Sequence, residues 1–563
     1  MNIIKSVPPL FPDNTYIGLD SEWFGLNSKQ LHRPTSGRFA CMTICSDADP
    51  DTVYYIDDEQ NVPNALNSIE NCVWVLMNAK FDIIQLRRLA TILPRKKIID
   101  IMLMEHILFG GYYNFFSLKH MARRYLDTIV EKEVRELFKK STSMTDEMIE
   151  YACRDVSLNL QIWNKQKQLV TKTDMNIWKQ VDCPAMWAFA DFQGFRIDVD
   201  AWDALADRNE QRQKDIDAKL PFNPRSPKQI LPYLRDKGFK NLKNTAEESL
   251  TEAIRKYPDT EAAELAKQIQ KSRKYGTRKS RYGKNFTKTY AEKENDYHVI
   301  VTNYNVTQAE TGRTSSNDPA MQNIIAKDTN EFRDCFIARP GHKLVIADYD
   351  SNEPRIGAYL TQDKKLIDIF QRDEKIYTAV AREIFKKEVK NGSPEYSRAK
   401  STLLGLDYGM SAWGLAKREN ISKDEAQETI NKFFGAFPGM KRWVDQQVKN
   451  TKMVKTVAGR KIWLNKYSGQ CERNALNGPH QGSGGDMMKQ ALGVIHQTWP
   501  FDIPFAAIEQ NHDELGFDVP EEYAEKVKDF VKLVMETVGS AMIKPIPVKA
   551  DIVICGQWSQ KNG

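Results

Sequence analysis

The chain has 563 residues, 41% of them apolar and 28% charged, with a net charge of +6. That length exceeds one ordinary core, so three to four domains or subdomains are expected, and the uneven positive charge points to an anionic partner on one surface. Eight cysteines without zinc-finger spacing, no basic-then-apolar leader and no run of about 18 apolar residues argue against a disulfide-stapled, secreted or membrane protein, and predict reduced thiols in a cytoplasmic location.

Residues 15–20, 39–45, 53–56 and 73–77 read as short strands, with helical patterns over 81–90 and 98–109, so the first ~180 residues form an α/β domain. The strand "YIGLDSEW" (16–23) carries two carboxylates, Asp20 and Glu22, one residue apart at its end. A strand end projects side chains over a sheet edge, where ligands usually sit. Downstream, "MNAKFD" (77–82) is a strand leading into a helix with Asp82 at the junction, and "YACRD" (151–155) puts Tyr151 and Asp155 four apart on one helix face. These are either ordinary solvated ends of elements or parts of one cleft. In one cleft the four carboxylates would repel one another and stay ionised only around cations. Oxygen-only ligands select Mg²⁺ or Mn²⁺, and two such ions can hold the attacking and leaving oxygens of a phosphodiester. Tyr151 would then orient the attacking water.

From about 185 to 300 the sequence turns helical and strongly charged. It includes "KSRKYGTRKSRYGKNFTK" (271–288), with eight basic residues, no acidic ones and interleaved aromatics. Past 340, strand-like runs ("KLVIA", "PFAAI", "LGFDV") flank long helical stretches between about 365 and 500. "KLVIADYDSNEPRIGAYL" (343–360) is a strand ending in Asp348, followed by a turn with Glu353 and Arg355. "AAIEQNHDELGFDV" (506–519) reads as two short strands with His512, Asp513 and Glu514 at the tip. A strand-end Asp and a hairpin-tip Asp are what a phosphoryl-transfer site needs, both held by rigid backbone. Between them, Tyr396, Lys400, Leu404 and Tyr408 recur every four residues on one slowly drifting helix face. A core-facing stripe fits poorly with a lysine in its middle, whereas a cation there suits a triphosphate.

The three N-terminal motifs together resemble the 3′–5′ exonuclease domain of the DEDD type with a tyrosine in its last motif, and the likeness extends through "DIMLMEHILFGGYYNFFSLKHMARRYL" (100–126). The remainder resembles the family A (DNA polymerase I-like) DNA polymerases. "DYDSNEPR" matches motif A, "RAKSTLLGLDYG" motif B and "HDE" motif C; "TGRTSSNDPAMQNI" (311–324), "RNALNGPHQGSGGD" (473–486), "FNPRSPKQI", "GFRIDV" and "AFPGMKRW" match further landmarks. The resemblance implies an α/β multidomain chain, a ribonuclease H-like exonuclease domain followed by a right-hand polymerase. Its parts would be exonuclease 1–180, thumb and start of the polymerase 181–300, palm 301–363, fingers 364–490 and palm 491–563. It implies two Mg²⁺ ions per active site, Mn²⁺ substituting, held by Asp348 and Asp513 and by Asp20, Glu22, Asp82 and Asp155, with Glu514 beside the first pair. It places Lys400 on the phosphates of the incoming nucleotide, Tyr408 beneath the nascent base pair, and Glu353 as a gate against a ribose 2′-hydroxyl, hydrogen-bonding toward Tyr408. Arg313 and Gln481 would read the minor groove, where acceptors are nearly sequence-independent. Arg473, Asn477 and His512 would also touch DNA, while Lys274 and Arg278 in the basic stretch would grip duplex phosphates.

Three positions depart from the family pattern. Tyr396 stands where an arginine usually meets the outer phosphates, and Tyr377 where a histidine often assists, which predicts a weaker triphosphate grip. Leu404 replaces a Phe or Tyr beside the incoming sugar, which predicts discrimination against dideoxynucleotides. The 5′ nuclease domain of the full-length bacterial repair enzymes and the thumb insertion of one phage relative are not found in the sequence, which suggests a compact phage or virus-type replication enzyme. Expected partners are primer–template DNA, dNTPs and a helicase or primase of the same system, with a monomeric chain and no membrane. Two other readings are a single-subunit RNA polymerase, opposed by Glu353 and the exonuclease, and an inactive primer–template clamp, opposed by the intact carboxylates.

Overall fold

The computed structural model describes residues 1–26, 37–90, 93, 97–130, 133–326 and 329–562. They divide into two compact units, Met1–Gln193 with Thr302–Gln322 and Val345–Ile554, and Gly194–Val301 with Asn323–Leu344 and Cys555–Gly563.

The first unit opens with a six-stranded mixed sheet, β1 (Asn2–Ile4), β2 (Tyr16–Phe24), β3 (Arg38–Ser46), β4 (Thr52–Ile56), β5 (Val73–Leu76) and β6 (Ile98–Asp100), in the order β1-β4-β3-β2-β5-β6. β2 pairs antiparallel with β3 and parallel with β5, so the strand carrying Asp20 and Glu22 lies inside the sheet. Helices α1 (Val62–Ser68), α2 (Ala79–Leu86), α3 (Ile101–Phe109), α4 (Leu118–Leu126), α5 (Glu133–Phe138) and α6 (Asp146–Gln166) accompany it. The expected helix over 98–109 begins instead as a buried strand, β6. The reason is Asp100, whose Oδ1 accepts the backbone N–H groups of Met102 at 2.9 Å and Leu103 at 3.1 Å and so starts the helix after itself.

Most of a four-stranded sheet also lies in this unit, in the order Ala507–Asn511, Glu514–Pro520, His342–Asp350, Lys549–Cys555. The 27-residue helix Cys471–Gln497 is largely buried. Its glycines permit close approach: a Cβ on Gly482 would meet the Thr311 carbonyl oxygen at 2.7 Å, and one on Gly485 would meet Arg313 at 3.1 Å. This is why the run "QGSGGD" seats the segment that carries Arg313. All eight cysteines are free and buried. Among the described residues no helix is long and apolar enough to cross a membrane.

The second unit is built on the helices Val199–Asp217 and Glu261–Tyr282, with the shorter helices Pro227–Asp236 and Glu247–Lys256 and a three-stranded sheet of Phe195–Ile197, Tyr297–Ile300 and Ala291–Glu294. Its helical core gathers Ile230, Leu234, Phe239, Leu250 and Ile269. Trp202 stacks on Phe286 at 4.5 Å and meets Phe332 and Phe336 edge-on.

A buried four-charge network ties the first unit together. Arg460 donates to both oxygens of Asp182, at 2.8 and 2.9 Å, and to Asp486 at 2.7 Å, while Lys489 donates to Asp182 at 2.5 Å. The four side chains are at most 1% exposed, so two cations and two anions balance without water. Removing one partner strands the others in a low dielectric. Asp182→Ala should therefore lower the unfolding free energy by about 3–5 kcal/mol, read by urea denaturation; a loss below about 1 kcal/mol would contradict a balanced network.

Candidate active sites

Successive side chains on a strand alternate faces, so Asp20 and Glu22 point the same way from β2. They open on a cleft of about 630 Å³ that Asp82, Tyr151 and Asp155 also line. Asp82, in the first turn of α2, is buried, and its Oδ1 accepts the Ser21 N–H at 3.0 Å and the Ser21 hydroxyl at 2.6 Å. Asp100 pins the start of α2 as well, accepting the Ala79 N–H at 2.7 Å. Tyr151 and Asp155 lie one turn apart on α6, close enough for each to shift the other's titration.

The electrostatics follow from crowding. Burial, then Glu22, Asp82 and Asp155, hold the Asp20 carboxyl well above the usual carboxylate range. Burial pushes Glu22 up to about 8, with Asp155 and Asp82 adding to it. Asp82 rises to about 7 through burial, opposed by the Ser21 hydrogen bonds, and Asp155 to about 6 through burial, opposed by Tyr151. Arg135 on α5 pulls Asp20, Glu22 and Asp155 back down. Sequence reasoning missed Arg135, and "EVRELF" holds no signal that sets it apart from other solvated helix arginines.

The second site forms where two strands of the four-stranded sheet meet. The Tyr349 N–H donates to the Asp513 carbonyl at 3.2 Å, which puts Asp348 beside the hairpin tip. That tip is a two-residue turn, since Asn511 pairs with Glu514 across it, and His512 takes the left-handed φ of 59° that such turns require. Burial raises Asp513, and Glu353 and Glu514 add to the rise while Arg313 opposes it. Glu353 is held by two donors, Arg313 at 3.2 Å and the Tyr408 hydroxyl at 2.5 Å. Arg313 Nε also donates to the Gln481 carbonyl at 3.2 Å, and Gln481 lies near enough to Tyr408 to lower its titration. Arg313, Glu353, Tyr408 and Gln481 are thus one cluster. Arg473, Asn477 and Gln481 lie four apart along one face of the helix Cys471–Gln497, with Arg473 exposed and the buried Asn477 Oδ1 lacking a hydrogen-bond partner among the described residues.

Lys400 is exposed on the helix Pro394–Asp407, its Nζ 4.9 Å from the Tyr377 ring centroid. Tyr377 meets Tyr396 edge-on at 6.0 Å, so the two departures form an aromatic pair beside the lysine, and Leu404 is half-buried on the same helix. In the second unit Lys274 is exposed. Arg278, expected as a phosphate grip, is 5% exposed and turned to Asn209, with NH1 at 3.4 Å from Oδ1. Its guanidinium helps close the packing of two helices, a position that basic composition alone does not reveal.

Oxygen-only donors fit a hard divalent cation, and Asp155 Oδ1 is buried without a hydrogen-bond partner among the described residues. Among those residues no three His, Cys, Asp or Glu side chains are already arranged to hold an ion. Asp20, Glu22, Asp82 and Asp155 are gathered, but one Asp82 oxygen is committed to Ser21.

Residues 200–560 match the family described as DNA polymerase family A, and residues 7–170 match the family described as 3′-5′ exonuclease. DNA polymerase I of Pseudomonas aeruginosa is 32% identical over 371 residues, 63% of this chain and 40% of that protein. DNA polymerase I of Aquifex aeolicus is 26% identical over 573 residues, 95% of this chain and 96% of that protein. The chain spans about half or less of the length of several other curated relatives of the same name. A solved structure, the POL domain of Pol1 from M. smegmatis in complex with DNA primer-template and dNTP, shares the fold with a TM-score of 0.82 at 22% identity, covering 97% of this chain and 96% of that one.

Carboxyls whose folded-state values lie above their unfolded ones favour the folded state below about pH 4 and lose that contribution as pH rises through the folded values. With Asp155, Asp82 and Glu22 at about 6, 7 and 8, the Tm in a chelating buffer should fall between about pH 5 and 8. Scanning calorimetry should show that slope reduced in Glu22→Gln. A Tm that rises across the same window would contradict the crowding.

Proposed function

The chain belongs to DNA polymerase family A, and from that premise we propose that it extends a primer on a DNA template with dNTPs and trims mispaired 3′ ends through a 3′–5′ exonuclease site. The observation that carries the reading is the approach of the hairpin tip bearing Asp513 to the strand bearing Asp348, beside the Arg313–Glu353–Tyr408–Gln481 cluster. A primer terminus and a nucleotide need a rigid acidic floor and a wall that tests sugar and base pair, and this arrangement supplies both. The neighbouring M. smegmatis structure, with its primer-template and dNTP, supports the choice of substrates.

Each side chain has a task of its own. Burial and the nearby Glu353 raise the Tyr408 hydroxyl above its usual range, so it keeps its proton and donates it to Glu353. The Glu353 carboxylate, held from two sides, then blocks the space a ribose 2′-hydroxyl would need. Lys400, exposed beside the Tyr377 ring, is free to swing toward triphosphate oxygens and neutralise charge as the α-phosphorus bond breaks. In the other cleft Tyr151, one turn from Asp155, orients the attacking water, while Arg135 supplies a positive charge for the scissile phosphate. Mg²⁺ or Mn²⁺, held by Asp348 with Asp513 and by Asp20, Glu22, Asp82 and Asp155, would polarise phosphoryl oxygens and activate the nucleophile. The Tyr377–Tyr396 pair offers hydroxyls where guanidinium and imidazole would offer charge-assisted bonds, so the outer phosphates are held by weaker donors.

A primer–template assay with and without dNTPs tests the reading. Asp513→Ala should abolish extension and leave trimming, and Asp20→Ala should do the reverse; loss of both activities in either variant, with folding intact, would count against two separate sites. Tyr396→Arg should lower the nucleotide KM several-fold, measured by single-nucleotide insertion, and an unchanged KM would remove the weak-grip account.

A further inference from the structure

Beside the Tyr408–Glu353–Gln481 cluster lies a buried pair that the reaction does not use. Asp407, the last residue of the helix Pro394–Asp407, is 1% exposed, and His480, on the helix Cys471–Gln497, is fully buried. His480 Nε2 lies 3.3 Å from Asp407 Oδ1, and its Nδ1 lies 3.0 Å from the Leu476 carbonyl oxygen. A carbonyl only accepts, so Nδ1 carries a proton and donates it. In a neutral imidazole Nε2 would then present a bare lone pair to a carboxylate oxygen. A further proton must be held between the two groups. Burial is the largest single influence and works against an imidazolium, but Asp407, the Leu476 carbonyl and Glu353 together leave the net effect on His480 upward. The approach is not aligned as a hydrogen bond, and among the described residues neither Asp407 oxygen has a donor. Burial raises the Asp407 carboxyl as well, and His480 is the group that opposes that rise and compensates it.

Three helices converge on this pair. A Cβ on Gly357 would lie 3.2 Å from His480 Nε2 and 3.5 Å from both Asp407 oxygens, so the helix Asn352–Thr361 lays bare backbone against it. The Trp443 ring closes another side edge-on, with centroids 5.0 Å apart. Each of the three helices brings one member of the nucleotide cluster within a turn of the pair: Tyr408 follows Asp407, Gln481 follows His480, and Glu353 stands four residues before Gly357. Glu353 is also the further charged group that acts on both partners.

From this juxtaposition we propose that Asp407 and His480 are positioning residues that fix Tyr408, and through it the Glu353 carboxylate, for selection of the incoming sugar; the inference rests on the polymerase reading above. Neither residue touches substrate. An uncompensated carboxylate in this position would draw in water and loosen the junction from which Tyr408 reaches Glu353.

Primer extension with dNTPs and with rNTPs tests this, with 3′ trimming at the Asp20 cleft measured on the same preparations as a control for folding. His480→Leu should raise the dNTP KM and relax the dNTP-over-rNTP preference, each by about tenfold, with kcat and trimming within about threefold of wild type. Replacing both partners, Asp407→Leu with His480→Met, removes charge and counter-charge together and should return both quantities to within about threefold of wild type. Should His480→Leu not accumulate in folded form, His480→Gln, which removes the charge but keeps a polar amide in the site, should shift both in the same direction by about threefold. The proposal is overturned if the single variants keep wild-type KM and sugar preference, or if the double variant is as impaired as His480→Leu. A wild-type chain that trims but never extends would overturn the polymerase reading and this inference with it.

Discussion

Like charges held in a partly buried cleft resist being ionised together, and that constraint shapes the chemistry of this chain. Asp20, Glu22, Asp82 and Asp155 line one cleft with Arg135 as a nearby cation. Each is raised first by its own burial and, for Asp20 and Glu22, further by its neighbours. Such a set holds protons at neutral pH unless positive charge arrives. Asp513 feels a milder form of the same pressure, since Arg313 partly offsets the push from Glu353 and Glu514.

The backbone pays for this crowding with strained turns. Asn78 precedes the helix bearing Asp82, Ser351 separates Asp348 from Glu353, and His512 precedes Asp513; all three take left-handed φ values, of 61°, 51° and 59°. Non-glycine residues rarely sit there, and where they do the surrounding structure over-determines them. Here Asp100 clamps the first turn, Arg355 donates to the Asp350 carbonyl at 2.8 Å near the second, and the Gln510 side chain donates to the His512 carbonyl at 2.8 Å in the third. Rigid strands feeding strained turns fix carboxylates more tightly than loops do, which suits positioning of reacting oxygens.

Much of this was legible in the sequence because it is written in periods and turns. Alternation in "YIGLDSEW" places Asp20 and Glu22 on one face, and the four-residue spacing of Tyr396, Lys400, Leu404 and Tyr408 follows a helix that ends at Asp407. The hairpin with Asp513 at its tip follows from two short apolar runs around "NHDE". Less legible were features whose meaning depends on partners distant in the chain. Asp182 and Arg460 are unremarkable residues until a π-helical turn and a hairpin bring them together in the core. Arg278 belongs to a basic run yet faces inward, because a helix with cations on every face must bury one of them. Asp100 fell inside the helical pattern over 98–109 and is instead the residue that caps the helix start.

If crowded carboxyls hold protons that a divalent cation displaces, titrating Mg²⁺ into the protein near pH 7 in two buffers of different ionisation enthalpy will reveal them. Calorimetry then counts the protons exchanged per ion bound. The wild-type chain should release about one proton or more per ion bound, and Asp20→Ala should release fewer or none. Binding without proton release, or release that Asp20→Ala leaves unchanged, would contradict it.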